Sequence, residues 1–268
     1  MKTKQVVDHI VNWLKTYSET SGTNGFVIGV SGGIDSSVTS TLIALTGKPV
    51  LCVEMPIHQA PSQVSRAANH IEWLMRRFPN VQRVDVELTN VFEGLINALP
   101  EPDGGQADIA LVNTRARIRM TTLYYFAGMH GYLVAGTGNK VEDFGIGFYT
   151  KYGDGGVDLS PIADLNKTEV YAIGAEVGVS AEIMAAPPTD GLWGDDRTDE
   201  DQIGASYPEL EWAMEFIYDS GDPSSLTGRK KEVFEIYSRF HKANLHKMVP
   251  IPVCEIPKEL KGTSIYSE

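Results

Sequence analysis

The feature that most constrains the fold of this chain is an apolar run that ends at a glycine-rich loop and is followed at once by a helical pattern. Residues 26–30 are apolar or glycine, as expected for a parallel strand buried on both faces. Residues 31–37 supply the glycines and serines of the loop, and a helix is predicted from about 35 to 46 because Gly47 provides a stop signal. A strand, a loop and a helix in this order predict one unit of a parallel α/β fold.

The same alternation continues along the chain. Further strands are predicted at 50–55, 81–87 and 132–136, and further helices at 3–19, 61–77, 89–98 and 106–129, with a mostly helical pattern beyond residue 160. Repeated strand–helix units of this length predict a doubly wound, mostly parallel sheet with helices on both faces. The glycine-rich loop and the loop at 136–138 both follow strands, so we expect them to line one crevice at the carboxyl ends of the sheet.

Composition disfavours several classes of protein. The 268 residues carry a formal net charge of −12, which disfavours binding to nucleic acid or to an anionic membrane. No apolar run approaches the roughly 20 residues that a membrane-spanning helix needs, and the N-terminus lacks the apolar core of a signal peptide. Cys52 and Cys254 lie far apart, which argues against a disulfide framework or a zinc knuckle. We therefore expect a cytoplasmic protein that binds neither nucleic acid nor membranes.

The glycine-rich loop is suited to bind an anion. Backbone N–H groups at the start of a helix point outward and carry the positive end of the helix dipole, while Gly32 and Gly33 allow a ligand to approach closely. A tight turn with a serine cap has the same pattern. A Walker A loop is excluded because no lysine follows the glycines, and the G-x-G-x-x-G fingerprint is absent. The loop instead resembles that of the N-type ATP pyrophosphatases through the string SGGIDS at residues 31–36, which implies an adenine nucleotide hydrolase-like fold.

Sequence blocks farther along the chain point to one family within that group. The chain resembles the NAD synthetases over roughly residues 26–250. The similar blocks lie at residues 113–120, 136–140, 148–158, 165–168 and 187–189, and in the pair His246-Lys247. The resemblance implies an ammonia-dependent ligase with a single domain over residues 1–268, no glutaminase domain, and assembly as a homodimer.

The reaction that this resemblance implies is the ATP-dependent amidation of deamido-NAD to NAD. The nicotinate carboxylate would attack the α-phosphate of ATP, giving an acyl adenylate and pyrophosphate, and ammonia would then displace AMP. Adenylation is needed because a carboxylate has no good leaving group, so the enzyme contributes mainly alignment and neutralisation of charge. The implied cofactor is Mg²⁺, which prefers oxygen ligands and substrate phosphates.

The resemblance also assigns roles to individual residues. The residues assigned to ATP are Gly29, Val30, Ser31, Gly32, Gly33, Ile34, Asp35, Ser36, Thr137, Lys167 and Thr189. Those assigned to deamido-NAD are Arg117, Lys151, Asp158, His246 and Lys247. The catalytic residues are Asp35, Lys167 and Asp154, with Asp154 near the ammonia. Mg²⁺ is assigned to Asp35 and Glu142. Asp143 could share or replace the role of Glu142, because this segment is one residue longer than the shortest family version.

The arginines of the helix at 106–129 receive different interpretations. Arg117 falls on one predicted helix face with Asn113 and Met120, at i+4 and i+3 spacing, so we interpret it as facing the ligand. Arg115 and Arg119 point elsewhere on this reasoning and are interpreted as structural or surface residues.

Three further features have simpler interpretations. Ile34 stands where many stand-alone NAD synthetases carry glutamine. His58 and His70 are interpreted as surface histidines rather than ligands. Residues 185–200 are rich in proline, glycine and aspartate, which disfavours regular structure, and we expect them to act as a lid over the bound nucleotide.

Two other functions stay open at this point. A tRNA-modifying ATP pyrophosphatase would share the glycine-rich loop, but it would need a basic RNA surface and often catalytic cysteines. A non-catalytic nucleotide-binding module would not need the metal-binding and leaving-group residues together, and this chain retains Asp35, Glu142, Lys167 and Thr189.

Overall fold

A computed structural model of the chain describes residues 1–59, 61–101, 107–189 and 198–261. Within these residues the centre of the fold is a parallel four-stranded sheet in the order β3-β2-β1-β4. The strands are β1 (Gly25–Gly29), β2 (Val50–Glu54), β3 (Val81–Asp85) and β4 (Tyr132–Val134). In register, Phe26 of β1 lies opposite Val50 of β2 on one side and Leu133 of β4 on the other. The predicted parallel sheet is confirmed.

The helices follow the predicted alternation closely. They are α1 (Thr3–Thr20), α2 (Ile34–Leu45), α3 (Pro61–Arg77), α4 (Thr89–Ala98), α5 (Ala107–His130), α6 (Lys167–Val177), α7 (Ala181–Ala185), α8 (Asp199–Ile203), α9 (Tyr207–Tyr218) and α10 (Gly228–Met248). None of the helices in the described ranges is both long enough and apolar enough to cross a membrane.

The sheet buries both of its faces, as a doubly wound fold requires. Alternate residues of β1 point to opposite sides: Phe26 and Ile28 join a core that contains buried residues of α1, α2, α3 and α6. Val27 joins a second core with Phe92 of α4 and Ala127 of α5. The prediction of helices on both faces is therefore confirmed, and the continuous apolar run at 26–30 is explained by burial on both sides.

The helical second half forms a separate apolar cluster beside the sheet. Buried residues of α9 and α10, including Leu210 and Val233, pack against a π-helical turn at Lys140–Ile146. A π-helical turn accommodates one residue more than an α-helical turn. This turn follows β4 and the loop at 136–138 and carries Glu142 and Asp143.

The two histidines have different environments. His58 is a surface residue, as predicted, and lies 2.6 Å from Glu93. The prediction for His70 is wrong, because its side chain is buried within α3, where Nε2 lies 2.9 Å from Ser40 Oγ and the ring stacks on Trp73. Burial lowers the pKa of His70 to about 4. The helical periodicity of α3 did not distinguish a polar residue on the packed face from one on the open face.

Candidate active site

A cavity of about 630 Å³ opens at the carboxyl ends of β1, β2 and β4. In the sheet, β2 and β3 lie on one side of β1 and β4 lies on the other. The strand order therefore reverses between β1 and β4, and such a switch point is where open parallel sheets bind ligands. The glycine-rich loop and the loop at 136–138 both line this cavity, as predicted. All the residues that the resemblance assigns to ATP line it, together with Asp154 and Glu142.

The glycine-rich loop holds its shape through its own serines. Ser36 Oγ accepts from the backbone N–H of Ser31 at 3.2 Å, and Ser37 Oγ donates to the carbonyl of Gly33 at 2.8 Å. Gly32 has a φ of +80°, and a Cβ there would lie 2.8 Å from the backbone nitrogen of Ala67 on α3. Glycine is therefore required by both conformation and contact at this position.

The start of α2 offers its backbone amides to the cavity. Gly33 is the N-cap residue, and no side chain of the described residues caps the helix. Uncapped N–H groups in a first turn are available to an anion, and the helix dipole adds to the attraction. Ile34 contributes its backbone to this turn, while its side chain is buried in the core. The loop is therefore able to bind phosphate oxygens through main-chain donors.

Lys167 joins the two residues that are assigned to the metal. It is the first residue of α6, and its side chain is 4% exposed. Its Nζ lies 2.6 Å from Asp35 Oδ2 and 2.8 Å from Glu142 Oε1. Asn139 Nδ2 also donates to Asp35 Oδ1 at 3.2 Å. Three elements that are distant in sequence thus bring one cation and two carboxylates together at the edge of the glycine-rich loop.

The electrostatics of this triad follow from burial and pairing. Burial raises the pKa of Asp35 in spite of the ion pair with Lys167. Burial also acts to raise the pKa of Glu142, but Lys167 and the hydroxyl of Tyr207 hold it below its ordinary value. Burial acts to lower the pKa of Lys167, and the two carboxylates outweigh it, so the pKa is raised and the amine stays charged.

Tyr207 supports the triad from α9, a role that sequence reasoning missed. Its hydroxyl donates to Glu142, and it also lies 3.2 Å from Asp199 Oδ2. The Lys167 amine lies 4.7 Å from the centre of the tyrosine ring, within range of a cation–π contact. No local pattern marks Tyr207 in the sequence, because its partners come from three other parts of the chain.

The carboxylates around Lys167 outnumber the cation that pairs with them. Asp143 packs against Gly138 so closely that a Cβ at residue 138 would overlap its carboxylate. Burial, together with the charges of Asp154, Glu142 and Asp35, raises the pKa of Asp143 well above its ordinary value. Such a group of carboxyl oxygens around one lysine has the chemistry that Mg²⁺ prefers. The residues present therefore fit a divalent cation, although no group of described residues has the spacing of a ready-made metal cage.

Asp154 lines the cavity. Its Oδ1 accepts from the backbone N–H of Thr150 at 3.1 Å, and burial raises the pKa of its carboxyl. Nearby, Lys247 Nζ donates to the carbonyls of Gly147 and Tyr149, both at 2.8 Å. The cavity therefore carries a further acidic position, close to a lysine that is held by carbonyl oxygens.

The residues assigned to deamido-NAD divide into two groups. Lys247 lines the cavity. Arg117 and Lys151 lie outside its lining, where Arg117 Nε donates to the Lys151 carbonyl at 3.3 Å and Lys151 Nζ donates to the His246 carbonyl at 2.9 Å. These three residues, Arg117, Lys151 and His246, form a chain of contacts on the surface beside the cavity.

Asp158 also lies outside the cavity lining. Its Oδ2 accepts from the backbone N–H of Val134, the last residue of β4, at 2.8 Å. Its Oδ1 accepts from the hydroxyl of Tyr124 on α5 at 2.9 Å. The observed contacts of Asp158 therefore connect β4 to α5, and its assignment to a ligand stays a prediction.

The structure places Arg119 where the sequence interpretation placed Arg117. Arg119 lines the cavity, whereas Arg117 is exposed outside it. Arg119 Nε donates to the carbonyl of Met55 at 3.0 Å, and its Nη2 donates to Gln59 Oε1 at 2.6 Å. The interpretation of Arg119 as a residue pointing away from the cavity is therefore wrong. The helix face that lines the cavity is centred near the buried Ala116, and this brings Arg119 rather than Arg117 to the cavity.

The segment expected to act as a lid is described in part. Residues 190–197 lie outside the described residues. On either side of them, Thr189 and Asp199 both line the cavity. Thr198 begins α8 as a capping residue with Asp201. The lid stays a prediction.

Comparison with known proteins identifies the family. A family model described as NAD synthase matches residues 6–250. An NH(3)-dependent NAD(+) synthetase of Methanococcoides burtonii is 38% identical over 251 residues, covering 91% of this chain and 92% of the relative. A solved structure described as NMN synthetase from Francisella tularensis has a TM-score of 0.81 at 28% identity, covering 96% of this chain and 99% of that chain. An NH3-dependent NAD synthetase from Campylobacter jejuni has a TM-score of 0.76 at 22% identity, covering 95% and 100%. This chain belongs to the NAD synthase family.

Proposed function

We propose that this protein is an ammonia-dependent NAD synthetase, a ligase that amidates deamido-NAD with ATP and releases AMP and pyrophosphate. The observation that carries the proposal is the cavity itself. There the glycine-rich loop and the uncapped start of α2 lie beside Lys167, which is paired with the carboxylates of Asp35 and Glu142. Family membership supports the same reaction. An RNA-modifying enzyme is not favoured, because neither the relatives nor the net charge of −12 fits it.

The first half-reaction forms an acyl adenylate. The nicotinate carboxylate attacks the α-phosphorus of ATP, and the bond from that phosphorus to the bridging oxygen of pyrophosphate breaks. The amides at the start of α2 would bind the phosphate oxygens, and Lys167 would neutralise negative charge as pyrophosphate leaves. Tyr207 would keep Lys167 and Glu142 in place.

Mg²⁺ fits at the same end of the cavity. Asp35, Glu142 and Asp143 are the residues that would hold it, because together they bring more negative charge than Lys167 neutralises. When bound, the ion supplies further positive charge to the pyrophosphate that leaves.

In the second half-reaction, ammonia attacks the acyl carbon and AMP departs with the electrons of the acyl–oxygen bond. Asp154 is proposed to bind ammonium or to accept its proton, because its carboxyl lies in the cavity and burial raises its pKa towards the range in which it takes up a proton. Ammonia is the proposed nitrogen donor, and the chain is proposed to act as a single NAD synthetase domain.

We also propose that the protein acts as a homodimer in the cytoplasm. Large apolar side chains are exposed on α4, directly after its end and on α5: Val91, Leu95, Leu99, Ile109, Tyr125 and Met129. Exposed apolar side chains gathered on neighbouring helices are typical of an interface. Arg117, Lys151 and His246 would then bind the part of deamido-NAD that extends beyond the cavity. Light scattering should give the mass of two chains at working concentration, and a monomeric mass would contradict this arrangement.

A second substrate is a specific alternative to deamido-NAD. The Francisella structure with a TM-score of 0.81 is described as an NMN synthetase. In addition, Lys247 is the one residue of the predicted deamido-NAD set that lines the described cavity. The smaller substrate, nicotinate mononucleotide, would undergo the same chemistry at the same carboxylate.

One experiment tests both candidates. The purified protein is incubated with ATP, Mg²⁺ and ¹⁵N-ammonium, together with either deamido-NAD or nicotinate mononucleotide, and the nucleotides are separated. We expect equal amounts of amidated product, AMP and pyrophosphate, with ¹⁵N in the amide. The ratio of kcat/KM for the two substrates decides between them. Formation of ADP and phosphate would contradict the proposed reaction, and equal rates with ammonia-free glutamine would contradict the nitrogen donor.

A further inference from the structure

Arg119 is an unusual cation in this cavity. It lies on α5 and lines the cavity wall near the carboxyl end of β2, whereas the other two arginines of this helix do not line the cavity. Arg115, one turn earlier, lies with its guanidinium 4.9 Å from the centre of the Phe92 ring, and Arg117 is exposed. Arg119 is thus the arginine of this helix that reaches the described cavity.

The guanidinium of Arg119 forms no direct ion pair with the described residues, although the charge of Asp154 acts on it through space. Its Nε donates to the Met55 carbonyl, and its Nη2 donates to the neutral amide oxygen of Gln59. None of the ion pairs among the described residues includes it. A cation that is removed from water without a counter-ion is costly unless another group supplies the charge.

The geometry leaves one edge of the guanidinium available. Nη1 donates to no described residue, and its surface is not fully enclosed by protein. Because Arg119 lines the cavity, Nη1 is available to a ligand there. The two existing hydrogen bonds fix the plane of the group, which removes much of the entropy cost of ordering a flexible side chain at the moment of binding. Burial lowers the pKa of Arg119 to about 10, so it still carries its charge at neutral pH.

Carboxyl groups and the guanidinium of Arg119 line different parts of the cavity. Asp35, Glu142 and Asp143 crowd the end beyond the glycine-rich loop, and Arg119 stands on the α5 wall. A bound nucleotide carries several anionic oxygens, and an arginine held in a plane matches phosphate and carboxylate geometry well.

We propose that Arg119, held in orientation by Met55 and Gln59, binds an anionic oxygen of a nucleotide in this cavity and is a binding residue for one of the two nucleotide substrates. The inference rests on the proposed function for the identity of those substrates, ATP and the pyridine nucleotide. The shared chemistry is a phosphate or carboxylate oxygen, and separate measurements with each nucleotide distinguish the sources.

The test uses two variants and a matched control. Arg119→Gln removes the charge while keeping an amide that can donate. Gln59→Glu keeps the shape but places a carboxylate against Nη2, where it competes with the substrate oxygen. Arg76→Gln removes an exposed arginine of α3 that does not line the cavity. Dissociation constants of ATP and of deamido-NAD are measured by calorimetry, and KM and kcat are measured in steady state.

We expect Arg119→Gln and Gln59→Glu to weaken binding of the same nucleotide by about 10- to 100-fold, the usual effect of one charged hydrogen bond, and to leave the other within about threefold. Arg76→Gln should match the parent protein. Because calorimetry needs no turnover, it tests Arg119 even if the reaction is a different one. Unchanged binding of both nucleotides by either folded variant would overturn the assignment. If Arg119→Gln does not fold, Gln59→Glu alone decides, since it removes no cation.

Discussion

Replacing Asp35 with asparagine separates the chemical role of this residue from its structural role. The change keeps the shape of the side chain and removes one negative charge next to Lys167 and the glycine-rich loop. Since Asp35 is proposed to hold Mg²⁺ and Lys167 beside the leaving pyrophosphate, we expect kcat to fall at least about a hundredfold, which corresponds to about 2.7 kcal/mol in the activation free energy.

The stability of the folded protein should change far less, because two effects oppose each other. The asparagine amide cannot accept from both Lys167 Nζ and Asn139 Nδ2, so one hydrogen bond to a charged or polar donor is lost, at a cost of about 1.5–3 kcal/mol. Against this, burial raises the pKa of Asp35, which means that the fold disfavours its charge. A neutral side chain removes that penalty and the repulsion from Glu142. The remaining difference should stay near 1 kcal/mol, or within about 4 °C in melting temperature for a chain of this size.

The assay therefore has two parts. Turnover is followed as pyrophosphate and amidated product at saturating ATP, Mg²⁺ and ammonium, and the melting temperature is measured without ligands. An Asp35→Asn protein that keeps most of its activity at saturating Mg²⁺ would refute the proposed role. A variant that loses activity only because it unfolds would instead make Asp35 a structural partner of Lys167. Asp164→Asn is a suitable control, because Asp164 pairs with Lys140 on the surface and does not line the cavity.

Three further predictions concern neighbouring parts of the molecule. Burial holds the folded pKa of His70 at about 4 against an ordinary value of 6.5. Its contribution to stability is therefore complete above pH 6.5, and we expect the unfolding free energy to lose about 1.4 kcal/mol per pH unit as the pH falls towards 4. Urea titrations should show that His70→Gln lacks this pH dependence, and a variant that keeps the slope of the parent protein would contradict the prediction. Tyr207→Phe keeps the ring over Lys167 but loses the hydroxyl that donates to Glu142, so we expect kcat to fall about tenfold. The affinity for ATP, measured by calorimetry, should change little. An unchanged kcat would contradict a positioning role for Tyr207. Gly32→Ala should lower the unfolding free energy by about 1–3 kcal/mol, because φ is +80° and the added Cβ would lie 2.8 Å from the Ala67 nitrogen; thermal melts that match the parent would show that the loop can shift.

The sheet and its ligand-binding edge could be predicted because they depend on local patterns. Continuous apolar runs mark strands buried on both faces, and in parallel α/β units every such strand ends at the same edge of the sheet. The loop at 31–37 and the loop at 136–138 therefore had to lie near each other, and both line the cavity. The ends of the strands were less certain. The structure ends β4 at Val134, two residues before the predicted end, because Ala135 joins the sheet as an isolated bridge to Leu159.

The face of α5 shows where local patterns are insufficient. Spacing correctly grouped Asn113 with Met120, and both line the cavity. It did not reveal the centre of the face, which lies near the buried Ala116. At about 100° per residue, Arg117 is rotated about 100° from Ala116, whereas Arg119, three residues away, is rotated about 60° in the opposite direction. Neighbouring positions on a helix can be read from a sequence, but the direction in which the helix faces is set by the elements packed against it.

The charge balance of the site depends even more on the tertiary fold. Lys167 lies 132 residues from Asp35 and 25 from Glu142 along the chain, and Tyr207 reaches the same point from α9. Each residue alone could be a surface charge or a core aromatic. Together they form a buried cation shared by two carboxylates, with the carboxyl group of Asp143 close enough for their charges to act on it. These carboxyl groups are the reason we propose a divalent cation at this end of the cavity, and Arg119 on the α5 wall is the reason we propose that an anionic oxygen of a nucleotide binds there.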